Sequence, residues 1–128
     1  MRLRVMLTGA DGMIGSTLKP HLKKEGFEVT AFQGECCNWK DWEKYDKGYD
    51  LLIHLAAFAG VRDSMNDPDK YFANNVGAAG NAFIWANQYV ARGKILYASS
   101  SNAAEWWSNP YAMTKKANEV QAIHYNAI

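Results

Sequence analysis

The chain has 128 residues, 48% hydrophobic and 21% charged, with 14 Lys and Arg against 13 Asp and Glu and a formal net charge of +1. That length makes one domain burying roughly 65% of its unfolded surface, and the composition argues against disorder and low complexity. Scattered charge leaves no basic stripe for a phosphate backbone, so no nucleic-acid partner is expected. The first apolar run stops at Gly9, too short for a signal or membrane segment; a cytoplasmic protein without a membrane partner is expected.

Leu3–Thr8 is a short apolar run closed by Gly9, which predicts a strand buried on both faces. Helical periodicity follows over Met13–Lys24, with Gly26 as terminator. Pro20 inside that helix should cost about 3 kcal/mol or force a kink. Phe27–Phe32 reads as the second strand, Trp39–Lys47 as a short charged helix and Tyr49–Leu55 as another buried strand. The link from Phe32 to Cys36 is shorter than a parallel crossover needs, so any strand near Glu35–Cys37 must be a stub. Pro68 opens a long helix through Ala91, Gly93 ends it, Lys94–Ala98 is the last strand, and Pro110 opens a final helix running to Ile128. Strands alternating with helices predict an α/β fold, a doubly wound parallel sheet of four to five strands.

The adjacent Cys36 and Cys37 cannot readily close an unstrained disulfide or supply a four-ligand zinc site. Reduced thiols and no metal are expected.

Thr8-Gly9-Ala10-Asp11-Gly12-Met13-Ile14-Gly15 joins the first strand to the first helix. Glycines there allow a positive φ, close approach of backbone to a pyrophosphate and tight helix–strand packing, while the helix N-terminus offers free N–H groups. The spacing alone would suit a bland turn; its place after the first buried strand favours a dinucleotide. At the end of the second strand, where an acid usually holds the adenosine ribose, stands the neutral Gln33. Both NAD and NADP therefore stay open.

Tyr111 and Lys115, four residues apart, share a helix face. Most such pairs are simply solvated, but a phenol beside an ammonium can also act as a base, because the cation stabilises its anion. Ser99, Ser100 and Ser101 follow the last strand, at the sheet edge where α/β ligands bind; with Tyr111 just downstream, a hydroxyl holding a substrate oxygen is favoured over a strand-ending turn. His54 is read as a packed, satisfied side chain, and the aromatics Tyr71, Phe72, Phe83 and Trp85 as core or subunit packing. Trp106 and Trp107 either cover a nicotinamide or seal an exposed core.

Three stretches carry a family resemblance: His54-Leu55-Ala56-Ala57 with Ala59-Gly60-Val61-Arg62 and Ser64, Tyr97-Ala98-Ser99-Ser100-Ser101, and Tyr111-Ala112 with Thr114-Lys115-Lys116-Ala117-Asn118-Glu119. With Pro68, Tyr71, Asn75, Val76 and Asn81 on the long helix, the chain resembles the extended short-chain dehydrogenase/reductase superfamily. Within it, the nucleotide-sugar epimerases and dehydratases are most similar, in particular the UDP-glucuronate 4-epimerases. The resemblance implies a Rossmann-like domain holding NAD, with NADP not excluded, at Gly9, Asp11, Gly12, Met13, Ile14, Gly15, Gln33, Leu55, Ala56, Ala57, Asn75, Tyr111 and Lys115. It implies Tyr111 as the base at the sugar C4 hydroxyl, Lys115 on the nicotinamide ribose, Ser100 on the same sugar oxygen with Ser101 as fallback, and a UDP-sugar as substrate.

The resemblance spans nearly all of the chain except a compressed stretch around residues 33–48. Ala103-Ala104-Glu105 replaces the family's Val-Tyr-Gly, and the chain reaches Ile128 just after the Tyr/Lys helix. Residues 1–128 are thus expected to form a single truncated NAD(P)-binding domain lacking the C-terminal substrate domain. Two functions follow: a minimal nucleotide-sugar oxidoreductase, or a dinucleotide-binding remnant acting as a binding or assembly module. The helices near Pro68–Ala91 and Pro110–Ile128 resemble the family's dimer helices, which implies a homodimer, and Lys94–Ala98 is an edge strand that needs a partner or a cover.

Overall fold

The strand β1, Arg4–Thr8, is buried from Val5 onward, as a strand must be when helices cover both its faces. In this computed structural model, which describes residues 2–46 and 48–127, β1 lies inside a four-stranded parallel sheet. Its partners are β2 (Glu28–Ala31), β3 (Leu51–His54) and β4 (Ile95–Tyr97), in the order β2-β1-β3-β4. Val5 pairs with Val29 and Leu51, and Leu52 with Ile95. From β1 the chain steps to β2 on one side and later returns to β3 on the other. The crevice beyond the carboxyl ends of β1 and β3 is therefore the topological switch point, where open α/β sheets bind ligands.

Alternation along the strands sorts the core into two layers. Val5, Leu7 and Ile53 face helix α1 (Met13–Lys24), which contributes Leu18 and Leu22. Met6 and Leu52 face the other way, onto Trp42 of α2 (Trp39–Glu43) and Ala78, Ala82, Trp85 and Ala86 of a long helix. Aromatic contacts tie that layer together, with Phe32 and Trp42 at 4.3 Å and Trp42 and Trp85 at 5.4 Å between ring centres.

The predicted elements are present with trimmed ends. The first helix closes as foreseen: Gly26 takes φ +95, its N–H donates to Lys23 O, and Phe27 N–H donates to Leu22 O, a glycine C-cap that satisfies two orphan carbonyls. Pro20 sits exposed inside a helix that continues past it. The strands are shorter than expected, and Tyr49 joins the sheet only through a single parallel bridge to Val90. Residues 35–37 form a turn with Cys36 buried, so the short link carries no strand, in keeping with the limit its length set. Trp39–Lys47 is helical over Trp39–Glu43, and Lys47 falls outside the described residues, as does Ile128 beyond α6 (Pro110–Ala127).

The helix expected over Pro68–Ala91 is broken into α4 (Pro68–Tyr71), a π-helical turn over Phe72–Val76, and α5 (Gly77–Tyr89). A short α3 (Val61–Asn66) precedes it. A π turn widens the helix and detaches carbonyls from their usual donors. Here the carbonyls of Asn75 and Val76 instead accept from Asn118 Nδ2 at 3.1 Å and Gln121 Nε2 at 3.1 Å, which fixes α6 along the widened segment.

Candidate active site at the sheet switch point

At the end of β1 the chain turns through Gly9, with φ +70. A Cβ at Gly9 would stand 2.8 Å from Ala56 N, and one at Gly15 would collide with Gly9 O and lie 2.8 Å from Ala10 Cα. Only glycine lets the turn, the loop after β3 and the start of α1 approach so closely. Gly12 is the N-cap of α1 and no side chain caps it, nor is there an acid in the first turn. The N–H groups of Met13, Ile14 and Gly15 consequently have no intrahelical partner, and the exposed side chains of Asp11, Met13 and Ile14 flank them. The result is a backbone cradle with an excess of donors, suited to an anion.

Beneath the cradle lies a buried polar cluster. Thr8 Oγ1 accepts from Leu55 N at 3.0 Å and Ala56 N at 3.1 Å and lies 2.7 Å from His54 Nδ1. With both acceptor positions engaged, the hydroxyl proton must go to Nδ1, which leaves the imidazole neutral with its own proton on Nε2. Burial, and then the charge of Lys115, push the His54 pKa down to about 4. The expectation of a packed, satisfied histidine holds.

On the other side of the crevice Tyr111 and Lys115 occupy the first turns of α6. Asn109 starts that helix by accepting from Ala112 N at 2.8 Å, with Pro110 following it. Lys115 is only 5% exposed; its Nζ donates to Ala98 O at 3.0 Å and lies 5.9 Å from the centre of the Tyr111 ring. Burial lowers its pKa. Ser100 follows β4, and its hydroxyl accepts from Asn102 N at 3.1 Å to begin the 3₁₀ stretch Ser101–Ser108, which packs along α6. The Gly9–Gly15 turn, Leu55–Ala57, His54 and Lys115 thus stand at the carboxyl ends of β1, β3 and β4, with Tyr111 one helical turn before Lys115 and Ser100 just past β4.

Of the remaining expected site residues, Asn75 is turned inward and Gln33 stands at the surface just past β2. Asn75 is 1% exposed, and its amide is fully engaged within the chain: Oδ1 accepts from Phe58 N at 2.8 Å, and Nδ2 donates to Phe58 O at 3.0 Å and Thr114 Oγ1 at 3.2 Å. It pins the loop after β3 to α6. Gln33 lies exposed beyond β2, its N–H donated to Tyr45 Oη at 2.8 Å. Trp106 and Trp107 are 46% and 63% exposed and stack edge to face, so they seal no core.

Sequence reading missed the Thr8 hydroxyl cluster, the Asn118 and Gln121 amides on the π turn, and the Tyr71 hydroxyl that donates to Ala59 O at 2.7 Å. Each joins residues far apart in the chain, and no local pattern marks them. A cavity of about 1320 Å³ lies away from this crevice, lined by Leu3, Phe27, Leu51 and Leu96 together with residues of α5 and α6.

Comparison with known proteins places the crevice in a wider group. The model of the NAD dependent epimerase/dehydratase family matches residues 5–127. UDP-glucuronate 4-epimerase 6 of Arabidopsis thaliana is 29% identical over 98% of this chain and 37% of its own length. UDP-glucose 4-epimerase of Streptomyces lividans is 28% identical over 77% of this chain and 36% of its own. Among solved structures, the UDP-glucose 4-epimerase of Thermus thermophilus in complex with NAD superimposes with a TM-score of 0.83 at 25% identity, covering 98% of this chain and 51% of that one. The chain thus spans about a third to a half of the length of these relatives.

Proposed function

The chain belongs to the NAD dependent epimerase/dehydratase family, and from that membership we propose that it is a nucleotide-sugar oxidoreductase of the 4-epimerase type. Gly9–Gly15 would hold the coenzyme pyrophosphate, with Asp11, Met13 and Ile14 beside it, and Leu55, Ala56 and Ala57 would line the rest of the coenzyme. What supports this reading is a glycine-only cradle and a buried lysine beside a tyrosine, both at the carboxyl edge of the same sheet. The residues suit the coenzyme: no Cβ fits at Gly9 or Gly15, and the N–H groups of Met13, Ile14 and Gly15 have no intrahelical partner.

When bound, an oxidised nicotinamide supplies a two-electron acceptor at the crevice. The remaining chemistry falls to the chain. Tyr111, as its phenolate, takes the proton of the sugar C4 hydroxyl, and the Lys115 ammonium steadies that phenolate beforehand. The Ser100 hydroxyl holds the same oxygen. Because His54 is neutral, Lys115 is the cation that this cluster turns toward the tyrosine, and Ala98 O orients its ammonium.

The sugar nucleotide extends beyond this domain, so the wall that holds it comes from additional chain or from a second subunit. The exposed sides of α5 and α6 suit a homodimer, which light scattering after size exclusion would reveal as twice the chain mass. To test the activity, the protein is titrated with NAD and supplied with UDP-glucuronate or UDP-galactose, with epimers read by NMR. Turnover that disappears in Tyr111→Phe while coenzyme binding persists supports the enzyme. Coenzyme binding with no turnover in either protein overturns it in favour of a binding module.

A further inference from the structure

The end of β2 carries no acid of its own, yet an acid stands there. Gly34 takes φ +119, and a Cβ built on it would lie 2.6 Å from both Cγ and Oδ2 of Asp41. The Asp41 carboxylate, delivered from α2, occupies the place where a side chain at the strand's end would begin. It accepts from Glu35 N at 2.8 Å. Position 34 is held to glycine by its φ and by this carboxylate, and position 33 carries the neutral Gln33, so the charge that stands against Gly34 comes from α2.

The carboxylate is firmly mounted. Asn38 caps α2 by accepting from Lys40 N, Trp42 Nε1 donates to Cys36 O at 2.8 Å, and Trp42 packs against Phe32 and Trp85. Phe32 N–H donates to Leu7 O, so the next residues, Gln33 and Gly34, leave the sheet level with the Gly9 turn. That is the position from which a Rossmann domain reads the adenosine ribose.

We propose that Asp41 sets the choice of coenzyme, its carboxylate accepting from the ribose 2′-hydroxyl of NAD and repelling the 2′-phosphate of NADP. This rests on the coenzyme site proposed above. Two neighbours are the competing influences: Glu35, a second carboxylate whose own N–H binds Asp41, and Lys44, an ammonium 5.6 Å from the centre of the Tyr45 ring, which would draw a phosphate if it dominated.

Binding of NAD and of NADP is measured by calorimetry on the wild type, Asp41→Asn and Glu35→Gln. Asparagine keeps an oxygen for Glu35 N–H and removes only the charge; Asp41→Ser serves the same end if the first variant unfolds. The wild type is expected to favour NAD by about tenfold or more, the effect of a like-charge contact at a protein surface. In Asp41→Asn the ratio should shrink to within about threefold, chiefly through tighter NADP binding, with the thermal midpoint unmoved. Glu35→Gln should retain the wild-type ratio. A wild type with no preference or favouring NADP, an unchanged ratio in Asp41→Asn, or a loss of selectivity in Glu35→Gln would each overturn the assignment to Asp41. Failure of the wild type to bind either coenzyme would instead overturn the site on which the assignment rests.

Discussion

Acid should destabilise this fold through one histidine. His54 is 6% exposed, its Nδ1 accepts the Thr8 hydroxyl, and the Thr8 oxygen is already filled by two backbone donors. A second proton on the ring therefore has nowhere to point and no water to solvate it. In the unfolded chain the imidazole takes up that proton near pH 6.5; in the fold it resists until about 4, because of burial first and Lys115 second. Between those values the unfolded state binds the additional proton. Stability is full above pH 6.5 and falls as the pH drops toward 4. By linkage, this group alone removes about 2 kcal/mol between pH 7 and pH 5, and about 3 kcal/mol over the whole window. Urea unfolding followed by tryptophan fluorescence measures it, with His54→Gln as reference, since glutamine can still accept from Thr8. The common carboxylates titrate alike in both proteins. The wild type should lose about 2 kcal/mol more than the variant between the two pH values; equal losses, or an NMR titration of His54 near 6.5, would refute the reasoning.

Gly15→Ala pushes a methyl group into the Gly9 carbonyl, so the cradle must open. Coenzyme affinity measured by calorimetry should fall by about a hundredfold or more, the equivalent of about 3 kcal/mol. Asn75→Ala removes both hydrogen bonds that hold the Phe58 backbone and leaves a gap at a buried position, and chemical denaturation should show a loss of about 1–3 kcal/mol. Pro20→Ala restores a donor to Ser16 O at an exposed position inside α1. It should raise stability by about 1–3 kcal/mol, visible as a higher thermal midpoint.

How much of this was legible in the sequence depends on the distance over which the information is carried. Leu3–Thr8, Leu51-Leu52-Ile53 and the Gly26 stop are local signals, and each element they predict is present, because buried strands and glycine C-caps depend on neighbours within a few residues. The crevice was readable for the same reason: Gly9–Gly15 and Tyr111–Lys115 are compact patterns whose spacing alone gives them a common turn or face. Ends were less legible. Pro68–Ala91 reads as one long helix, yet it opens into a π turn whose carbonyls accept from Asn118 and Gln121, more than forty residues onward.

The compressed stretch is the sharpest case, because there the chain order itself misleads. Read along the sequence, the residue after the strand expected over Phe27–Phe32 is Gln33 and the expected acid is missing. In space the short link from Phe32 to α2 folds Asp41 back against Gly34. Shortening the connection therefore does not remove the charge from the strand's end; it changes which element delivers it, and a small aromatic cluster around Phe32, Trp42 and Tyr45 supplies the rigidity that a longer crossover would otherwise provide. The same cluster explains why α2 can be one turn and a half long and still hold its place: its stability comes from Trp42, fully buried against Trp85, rather than from helix propensity, which is marginal at that length. A substitution that loosened Trp42 would consequently be felt at Asp41 and the end of β2 before it was felt in the sheet.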